Sequence, residues 1–423
     1  MNVHGINKDR RIADMERILA LTRLIGASKD LDGLLARIVG AVSELLDAER
    51  VSLWVVDPGS DRMFTRVAQG DGIGTLEIPL GAGIAGTVGK DGLTVNIPDA
   101  YQDSRFDPSF DRKTGFKTRS ILCMALKNAT DDVVGVAQAL NKRGFPSFDE
   151  YDETLLDILC SQTGVVLERM RMRDIEFTQR KMKADLELAQ TIQKSLLPDG
   201  APSFERLDVA GFNRPADETG GDYYDFVPVN GGELGIIVGD VSGHGLPSAL
   251  VMASARAMIR AMLLGGMTPD DALGRANELL NQDLEDDRFM SMLIAVIDPE
   301  TLAMRFSSAG HEAPLVRRAN GQYETLDGAG CLLGMFNDST YDSYGSIQLN
   351  PGDIVAFYTD GVFEAMNSKD EAFGFERLRT IISDTSDLSA DSIVIKTIAA
   401  VDQFVSGRAQ KDDITLIIAK MTR

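Results

Sequence analysis

The sequence is short of basic residues, cysteine and uninterrupted apolar runs, and each shortage excludes a class of function. Its 423 residues hold 43 Lys and Arg against 64 Asp and Glu, so no basic face for nucleic acid or an anionic membrane is expected. The three cysteines form no CxxC pattern, which indicates reduced thiols in a cytoplasmic protein. The longest apolar run, Ala249–Leu264, is interrupted by Arg256 and Arg260, so we expect no transmembrane helix.

Two catalytic designs are also disfavoured. No GxxxxGK[ST] loop is present, which excludes a P-loop ATPase. The only histidines, His4, His244 and His311, are scattered, which disfavours the His/Asp metal cage of a cyclic-nucleotide phosphodiesterase. The content of 44% hydrophobic and 25% charged residues is ordinary for globular proteins, and the length predicts two or three domains.

The stretch Gly235–Gly245, GIIVGDVSGHG, places an aspartate, Asp240, at the end of a short buried strand. Earlier in the chain, Asp222 comes directly after Gly220 and Gly221. A hairpin that turns at Asn230–Gly232 is predicted to bring Asp222 beside Asp240.

Two further aspartates lie at strand boundaries of the same region. Asp360 follows the strand-like GDIVAFYT, and Asp412 precedes the terminal strand ITLIIAKM. Four neighbouring carboxylates repel one another, so cations are needed to offset their charge. The pattern predicts two Mg²⁺ or Mn²⁺ ions, bridged by a shared carboxylate, that activate water for attack on phosphorus.

Five motifs in this order, GGDYYD, GDVSGHG, AGHEAP, YTDGVFEA and KDDITLI, resemble the SpoIIE/RsbU-type branch of metal-dependent Ser/Thr protein phosphatases, the PPM superfamily. The resemblance implies an αββα sandwich with two metals in the cleft between its sheets. The implied ligands are Asp240, which bridges the metals, the backbone carbonyl of Val241, Asp222 on one metal, and Asp360 and Asp412 on the other. The adjacent Asp413 is interpreted as a support behind the ligands.

Two histidines lie in these motifs. His244 has two open interpretations: a general acid for the leaving serine or threonine oxygen, or a hydrogen-bonding residue that fixes the Asp240 loop. His311 is interpreted as a structural or substrate-rim residue. Arg214 is the one candidate for gripping phosphate, so the metals are expected to hold most of it.

The N-terminal half has a different pattern, with helical spacing followed by separated strand-like segments, VSLWVVD, SILCMALKN and DVVGVAQALNK, and a closing helix at Asp149–Glu168. The segment DSRFDPSFDRKTGFKTRSILCM and the set Asn141-Lys142, Phe148 and Asp152-Glu153 resemble the GAF domains of cyclic-nucleotide phosphodiesterases and some adenylyl cyclases.

That resemblance implies a Lys142–Asp152 ion pair that holds a ligand pocket together. The loop residues Arg105, Phe106, Phe110 and Thr114 are expected to line an apolar slot for cAMP or cGMP. The alternative is an empty pocket in a GAF domain that serves only for dimerisation.

Between the two regions, Ile175, Met182, Ala189 and Leu196 recur every seven residues. This spacing predicts a parallel two-stranded coiled coil, and a plain solvated linker is the alternative. The segment DLELAQTIQKSLLP resembles the connector ahead of SpoIIE/RsbU catalytic domains.

The sequence therefore predicts an α+β multidomain chain: an N-terminal helix (1–29), a GAF domain of antiparallel sheet and flanking helices (30–168), a coiled-coil linker (169–198) and an αββα phosphatase domain (199–423). We expect a cytoplasmic homodimer, joined through the GAF domain and the coil. Its predicted activity is hydrolysis of a phosphorylated partner, such as an anti-sigma-factor antagonist, under control of a cyclic nucleotide. The alternative is a catalytically silent, GAF-regulated scaffold.

Overall fold

The structure is a computed structural model that describes residues 8–27, 31–68, 76–229, 231–284, 288–326 and 328–423. The chain divides into two units, Met1–Arg180 and Lys181–Arg423. Both mix helices with antiparallel sheet, which confirms the predicted α+β class.

The first unit is built on a six-stranded sheet whose order is β3-β2-β1-β6-β5-β4, with every neighbouring pair antiparallel. Its strands are β1 (Ala48–Asp57), β2 (Arg62–Ala68), β3 (Glu77–Pro79), β4 (Val95–Ile97), β5 (Ile121–Lys127) and β6 (Val133–Lys142). β-Branched and long apolar side chains alternate along the central strands, so each strand contributes to a core on both faces of the sheet.

Helices cover both faces of this sheet. They are α1 (Lys8–Ala27), α2 (Leu31–Leu45), α3 (Gly83–Asp91), α4 (Ser109–Thr114) and the first turns of α5 (Glu150–Leu196), with a 3₁₀ turn at Ala100–Gln102. Leucines and valines of α2 recur at helical spacing and pack with α5 on one face. The other face is closed by α3, whose Ile84 and Val88 pack against Trp54 and Met63.

The second unit holds two five-stranded antiparallel sheets. One has the order β14-β11-β10-β9-β8 and the other β13-β12-β15-β16-β7. The strands are β7 (Leu207–Arg214), β8 (Tyr223–Pro228), β9 (Leu234–Val241), β10 (Met290–Ile297), β11 (Ala303–Ala309), β12 (Leu315–Arg317), β13 (Tyr323–Thr325), β14 (Tyr344–Gln348), β15 (Ile354–Tyr358) and β16 (Ile414–Met421).

Helices close the outer face of each sheet, and the apolar inner faces pack on each other, so the predicted αββα sandwich is confirmed. The helices are α6 (Leu246–Leu264), α7 (Pro269–Asp283), α8 (Asp360–Phe363), α9 (Phe375–Asp384) and α10 (Ala390–Val405). By length and composition α6 is apolar enough to cross a membrane. Met252, Ala255, Ile259 and Leu263 are nevertheless buried against the sheet, as in a core helix.

The helix α5 is 47 residues long and continues without a break through the segment predicted as a linker. It ends before Pro198, which lacks the backbone N–H that another helical turn requires. Along its outer length Met172, Ile175, Met182 and Ile192 are exposed. This face is apolar where a solvated helix is usually polar.

Candidate functional site

The β8–β9 hairpin brings the first two aspartates together. Tyr223 pairs with Gly239 in antiparallel register, which places Asp222 opposite Asp240 at the end of the hairpin, as the sequence predicts. The predicted turn residue Asn230 lies outside the described residues. After burial, the charge of Asp240 is the next cause that raises the pKa of Asp222, so the two carboxyl groups influence each other.

The other sheet supplies the remaining two aspartates. Asp360 is the first residue of α8, two residues after the end of β15, and Asp412 lies two residues before β16. Since β15 and β16 are antiparallel neighbours, both carboxylates reach the same edge of that sheet. Gly361 makes the close approach possible, because a Cβ at this position would collide with the backbone oxygen of Asp413.

Neutral donors from this second sheet hold Asp222 across the cleft. The Thr359 hydroxyl donates to Asp222 Oδ2 at 2.7 Å, and the Thr415 hydroxyl donates to the same oxygen at 2.5 Å. In the opposite direction, Asp413 Oδ2 accepts the backbone N–H of Gly221 at 2.6 Å and that of Asp222 at 3.2 Å. These bonds link the two sheets at the candidate site.

The carboxylates raise one another's pKa values. Burial, followed by the charges of Asp240 and Asp413, raises the pKa of Asp222 well above its usual range. Burial, followed by Asp360, Asp412 and Asp413, raises the pKa of Asp240 to about 8. Burial is also the main cause that raises the pKa values of Asp360 and Asp412. The cluster therefore carries unfavourable negative charge, and bound cations would relieve it.

Two cavities adjoin the cluster. One, of about 190 Å³, is lined by Asp240, His311, Glu312 and Asp360, and the other, of about 550 Å³, is lined by Arg214 and Asp412 among others. In the described part of the chain, no three acidic, histidine or cysteine side chains are already arranged to hold a metal ion. The four predicted ligands are thus neighbours, but Asp412 opens onto a different cavity from Asp240 and Asp360.

The two histidines differ sharply in environment. The His244 side chain is 79% exposed, and its Nδ1 lies 2.8 Å from Asp217 Oδ2. It lies near Asp412, whose pKa it acts to lower. His311 is buried between the Ser291 hydroxyl, at 2.7 Å from Nδ1, and the Tyr358 carbonyl, at 3.2 Å from Nε2. Burial lowers the pKa of His311 to about 4, so the ring is neutral at pH 7.

The first unit contains a cavity of about 360 Å³ between its sheet and α3. Phe106 and Phe110 line it as predicted, but Arg105 and Thr114 do not. Instead, Arg105 Nη2 lies 2.6 Å from Asp103 Oδ2, and the Thr114 hydroxyl donates to the Phe110 carbonyl at 3.0 Å. Both side chains thus bind partners within four residues of them in the chain and do not extend into the cavity.

The signature residues Asn141, Lys142 and Asp152 do not line the cavity. They bind one another or the backbone around it. Lys142 Nζ lies 2.7 Å from Asp152 Oδ1, and both side chains are almost fully buried, so the predicted ion pair forms. The Asn141 side chain accepts the backbone N–H of Arg119 at 2.6 Å and donates to the Lys117 carbonyl at 2.9 Å. These bonds fix the loop that leads into β5.

The chain matches two family profiles. Residues 230–422 match "Stage II sporulation protein E (SpoIIE)", and residues 30–167 match "GAF domain". The chain joins a GAF domain to a SpoIIE-type phosphatase domain. Asp240, Asp360 and Asp412 lie within the residues that match SpoIIE, Asp222 lies eight residues before that match begins, and the residues that line the 360 Å³ cavity lie within the GAF match.

The two domains have separate curated relatives. Dual 3′,5′-cyclic-AMP and -GMP phosphodiesterase 11A of Takifugu rubripes is 35% identical over 171 residues, which cover 38% of this chain and 19% of the relative. Phosphoserine phosphatase RsbU of Bacillus subtilis (strain 168) is 26% identical over 236 residues, which cover 55% of this chain and 70% of the relative. The chain thus spans about a fifth of the phosphodiesterase and most of RsbU.

The fold of the SpoIIE-type domain matches a solved structure. The SiaA-PP2C domain of Pseudomonas aeruginosa superposes with a TM-score of 0.52 at 24% identity, covering 58% of this chain and 99% of that domain. This likeness supports the PP2C fold.

Several residues of the two sites were not predicted from the sequence. In the SpoIIE-type domain they are Asp217, Thr359 and Thr415, although both threonines lie beside predicted ligands within the motifs YTDG and KDDIT. In the GAF domain the cavity wall includes Trp54, whose indole Nε1 is buried and has no hydrogen-bond partner among the described residues. No sequence signal identifies Trp54, because a strand tryptophan is most often a core residue.

Proposed function

We propose that the SpoIIE-type domain hydrolyses phosphoserine or phosphothreonine on a partner protein, with two Mn²⁺ or Mg²⁺ ions. The observation that supports this most directly is that four buried or part-buried aspartates, two from each sheet, lie close enough for their charges, after burial, to raise pKa values within the group. In the described part of the chain none of the four forms an ion pair with lysine or arginine. Divalent cations would offset their charge.

The donor set fits hard divalent cations, which prefer carboxylate and carbonyl oxygens. Asp240 is central, since Asp222, Asp360 and Asp412 all influence its carboxyl group or share its cleft. We assign it the bridging position, with the Val241 carbonyl beside it. When bound, the ions supply an activated water and stabilise negative charge on phosphate. The threonines on Asp222 hold that carboxylate in place.

For His244 we propose the general-acid role, with Asp217 orienting the ring. An exposed imidazole at the rim can reach a leaving serine oxygen, and the Asp217 contact at Nδ1 leaves Nε2 available. The role is tested with two substrates. His244→Asn should slow hydrolysis of a phosphoserine peptide but spare p-nitrophenyl phosphate, whose leaving group needs no proton. Equal losses on both substrates would support the alternative, a residue that fixes the Asp240 loop.

The phosphatase proposal is tested with phosphoserine and phosphothreonine peptides, because the natural partner is not needed to detect the chemistry. We expect Mn²⁺-dependent phosphate release that Asp240→Asn and Asp360→Asn reduce to background. Asp387→Asn, at an exposed position of the same domain, is the matched control and should retain activity. Absence of phosphate release from the wild-type chain would favour the silent scaffold.

We propose further that the GAF cavity binds a cyclic nucleotide, cAMP or cGMP. The cavity includes the start of α3 at Gly83, Ile84 and Ala85, and within the described ranges no side chain caps that helix start. Backbone N–H groups there suit a phosphate. The unpartnered Trp54 Nε1 gives a second donor on the wall, and Phe106 and Phe110 give apolar surface for a base. The similarity to a dual cyclic-nucleotide phosphodiesterase supports this ligand class.

Calorimetric titration with cAMP, cGMP and 5′-AMP tests the ligand. We expect one cyclic nucleotide to bind, and Trp54→Phe to weaken it about tenfold by removing the donor while keeping an aromatic ring. Phe110→Ala should weaken binding as well, whereas Phe145→Ala, at an exposed position outside the cavity wall, should not. Lack of binding by either cyclic nucleotide would support a GAF domain that serves only for dimerisation.

The same proposal includes a homodimer formed through the GAF domain and α5, since Ile175 and Met182 are exposed on α5 at heptad spacing. Light scattering of the full chain tests it, and Ile175→Glu with Met182→Glu should favour the monomer. We propose a phosphoprotein such as an anti-sigma-factor antagonist as the partner class, and the likeness to phosphoserine phosphatase RsbU supports a phosphoserine substrate. Ligand-dependent activity of the full chain tests the regulation.

A further inference from the structure

A buried glutamine near the end of α5 contacts the loop that leads to Asp222. Gln193 Oε1 accepts the backbone N–H of Gly220 at 3.1 Å, and Gln193 Nε2 donates to the Gly220 carbonyl at 2.6 Å. One side-chain amide thus satisfies both backbone polar groups of one residue. Gln193 is only 9% exposed, although Ile192 and Lys194 on either side of it are exposed. Burial of an amide is favourable only when its donor and acceptor are both used.

The loop that Gln193 grips has little freedom to move. On its far side Asp413 accepts the N–H groups of Ala216 and Gly221, at 2.7 and 2.6 Å. Side chains at the two glycines are sterically excluded: a Cβ at Gly220 would collide with the Asp413 carboxylate, and one at Gly221 would lie 2.7 Å from the Val241 oxygen. The loop is therefore held between Gln193 and Asp413, immediately before Asp222.

The end of α5 is also anchored by packing. Leu197 packs against two apolar clusters, the one between the sheets and the one beneath α6 and α7. The end of α5 therefore contacts the domain in two ways: Leu197 packs on apolar clusters, and the Gln193 amide makes polar contacts with Gly220. All of these residues belong to the second unit, Lys181–Arg423.

A small rotation of α5 is enough to break this contact. A straight helix and a coiled coil differ in phase by about 20° per heptad. At a side-chain radius of about 5–6 Å, such a rotation moves the Gln193 amide by about 2 Å. Hydrogen bonds of 2.6 and 3.1 Å do not survive a displacement of that size.

We propose that Gln193 is a positioning residue that ties the rotational phase of α5 to the placement of Asp222, and through it to metal binding. The inference rests on the proposed metal-dependent function. Gln193 touches neither metal nor substrate, and it acts through the Gly220 backbone. Residues that orient metal ligands from behind typically change metal affinity by about 10–100-fold when replaced.

The test uses the full chain with Gln193→Met and Gln193→Glu. Both keep the length of the side chain, and the first removes both hydrogen bonds while the second turns the donor into an acceptor that the Gly220 carbonyl repels. Gln190→Met and Gln190→Glu are matched controls one turn earlier on α5, where the glutamine has no hydrogen bond among those of the described residues. Two properties are measured: Mn²⁺ concentration at half-maximal thermal stabilisation, and deuterium exchange of peptides covering residues 215–222.

We expect the Gln193 variants to raise the Mn²⁺ midpoint by about tenfold or more and to speed exchange of residues 215–222. The Gln190 variants should match the wild type in both measurements. Unchanged exchange and an unchanged midpoint in Gln193→Met would overturn the proposal. If Mn²⁺ stabilises no form of the chain, the proposed metal site fails, and faster exchange in the Gln193 variants alone still establishes the grip on the loop.

Discussion

Replacing Asp240 by asparagine should destroy the proposed activity and yet stabilise the metal-free protein. Asp240 lies at the centre of a group of carboxylates, and burial, followed by the charges of Asp360, Asp412 and Asp413, disfavours its ionised form in the metal-free protein. Asparagine keeps the shape and removes the charge. If one substitution abolishes function and raises stability, the charged groups of the site destabilise the ligand-free protein, and ligand binding removes that destabilisation.

The size of the effect follows from the pKa. Burial and the neighbouring carboxylates raise the pKa of Asp240 from 3.8 to about 8. A raised folded-state pKa gives stability that is fully present below pH 3.8 and is lost as pH rises through 8. At pH 7 the loss has an upper limit of about 4 kcal/mol, at about 1.4 kcal/mol per pH unit. Because Asp240 is partly exposed, solvent screening reduces the expected gain in Asp240→Asn to about 1–3 kcal/mol.

Urea unfolding in EDTA measures this gain, with circular dichroism following the whole chain. The single tryptophan, Trp54, lies in the GAF domain, so its fluorescence reports that domain separately and should not change. We expect Asp240→Asn to be more stable than wild type at pH 7.5, nearly equal at pH 4, and insensitive to added Mn²⁺. The exposed Asp387→Asn serves as a control for charge removal. A gain that persists undiminished at pH 4, or no gain at pH 7.5, would refute the repulsion argument.

Three further outcomes are expected. Lys142→Met leaves the buried Asp152 carboxylate unpaired and should cost about 3–5 kcal/mol of GAF stability by tryptophan fluorescence, with partial recovery on adding Asp152→Leu; no loss would mean the pair is dispensable. His311, whose pKa is lowered to about 4, should make the wild type lose up to about 3 kcal/mol relative to His311→Gln as pH falls from 6.5 to 4, so parallel pH profiles would contradict its neutral burial. Arg260→Met breaks a 2.6 Å contact with buried Asp225 and should cost about 2–4 kcal/mol in chemical denaturation of the second unit, more than the same change at the more distant Arg256.

Local patterns in the sequence were enough to predict the hairpin that joins Asp222 to Asp240. The two strands are adjacent in the chain, and a short turn fixes their register. Local pattern placed Asp360 and Asp412 at strand boundaries, but it could not pair their strands, because β15 and β16 are separated by more than fifty residues that include three helices. Neighbouring strands of that kind cannot be paired from periodicity alone.

Side-chain partners were harder to predict than strands. Arg105 lies in the loop predicted to line the GAF cavity, but a carboxylate two residues away at Asp103 takes its guanidinium. Gln193 looks like any polar position of a charged helix, and only the tertiary fold brings Gly220 to it. The direction of a side chain depends on such neighbours, which sequence spacing does not reveal.

The groups that orient Asp222 do not neutralise its charge. Among the described residues, Asp222 and its loop are positioned by neutral donors and backbone groups, including Thr359, Thr415 and Gln193, and by no lysine or arginine. Each neutral hydrogen bond contributes about 1 kcal/mol, whereas breaking a buried ion pair costs about 3–5 kcal/mol. The ligands are therefore oriented without being neutralised, so the charge is left for divalent cations.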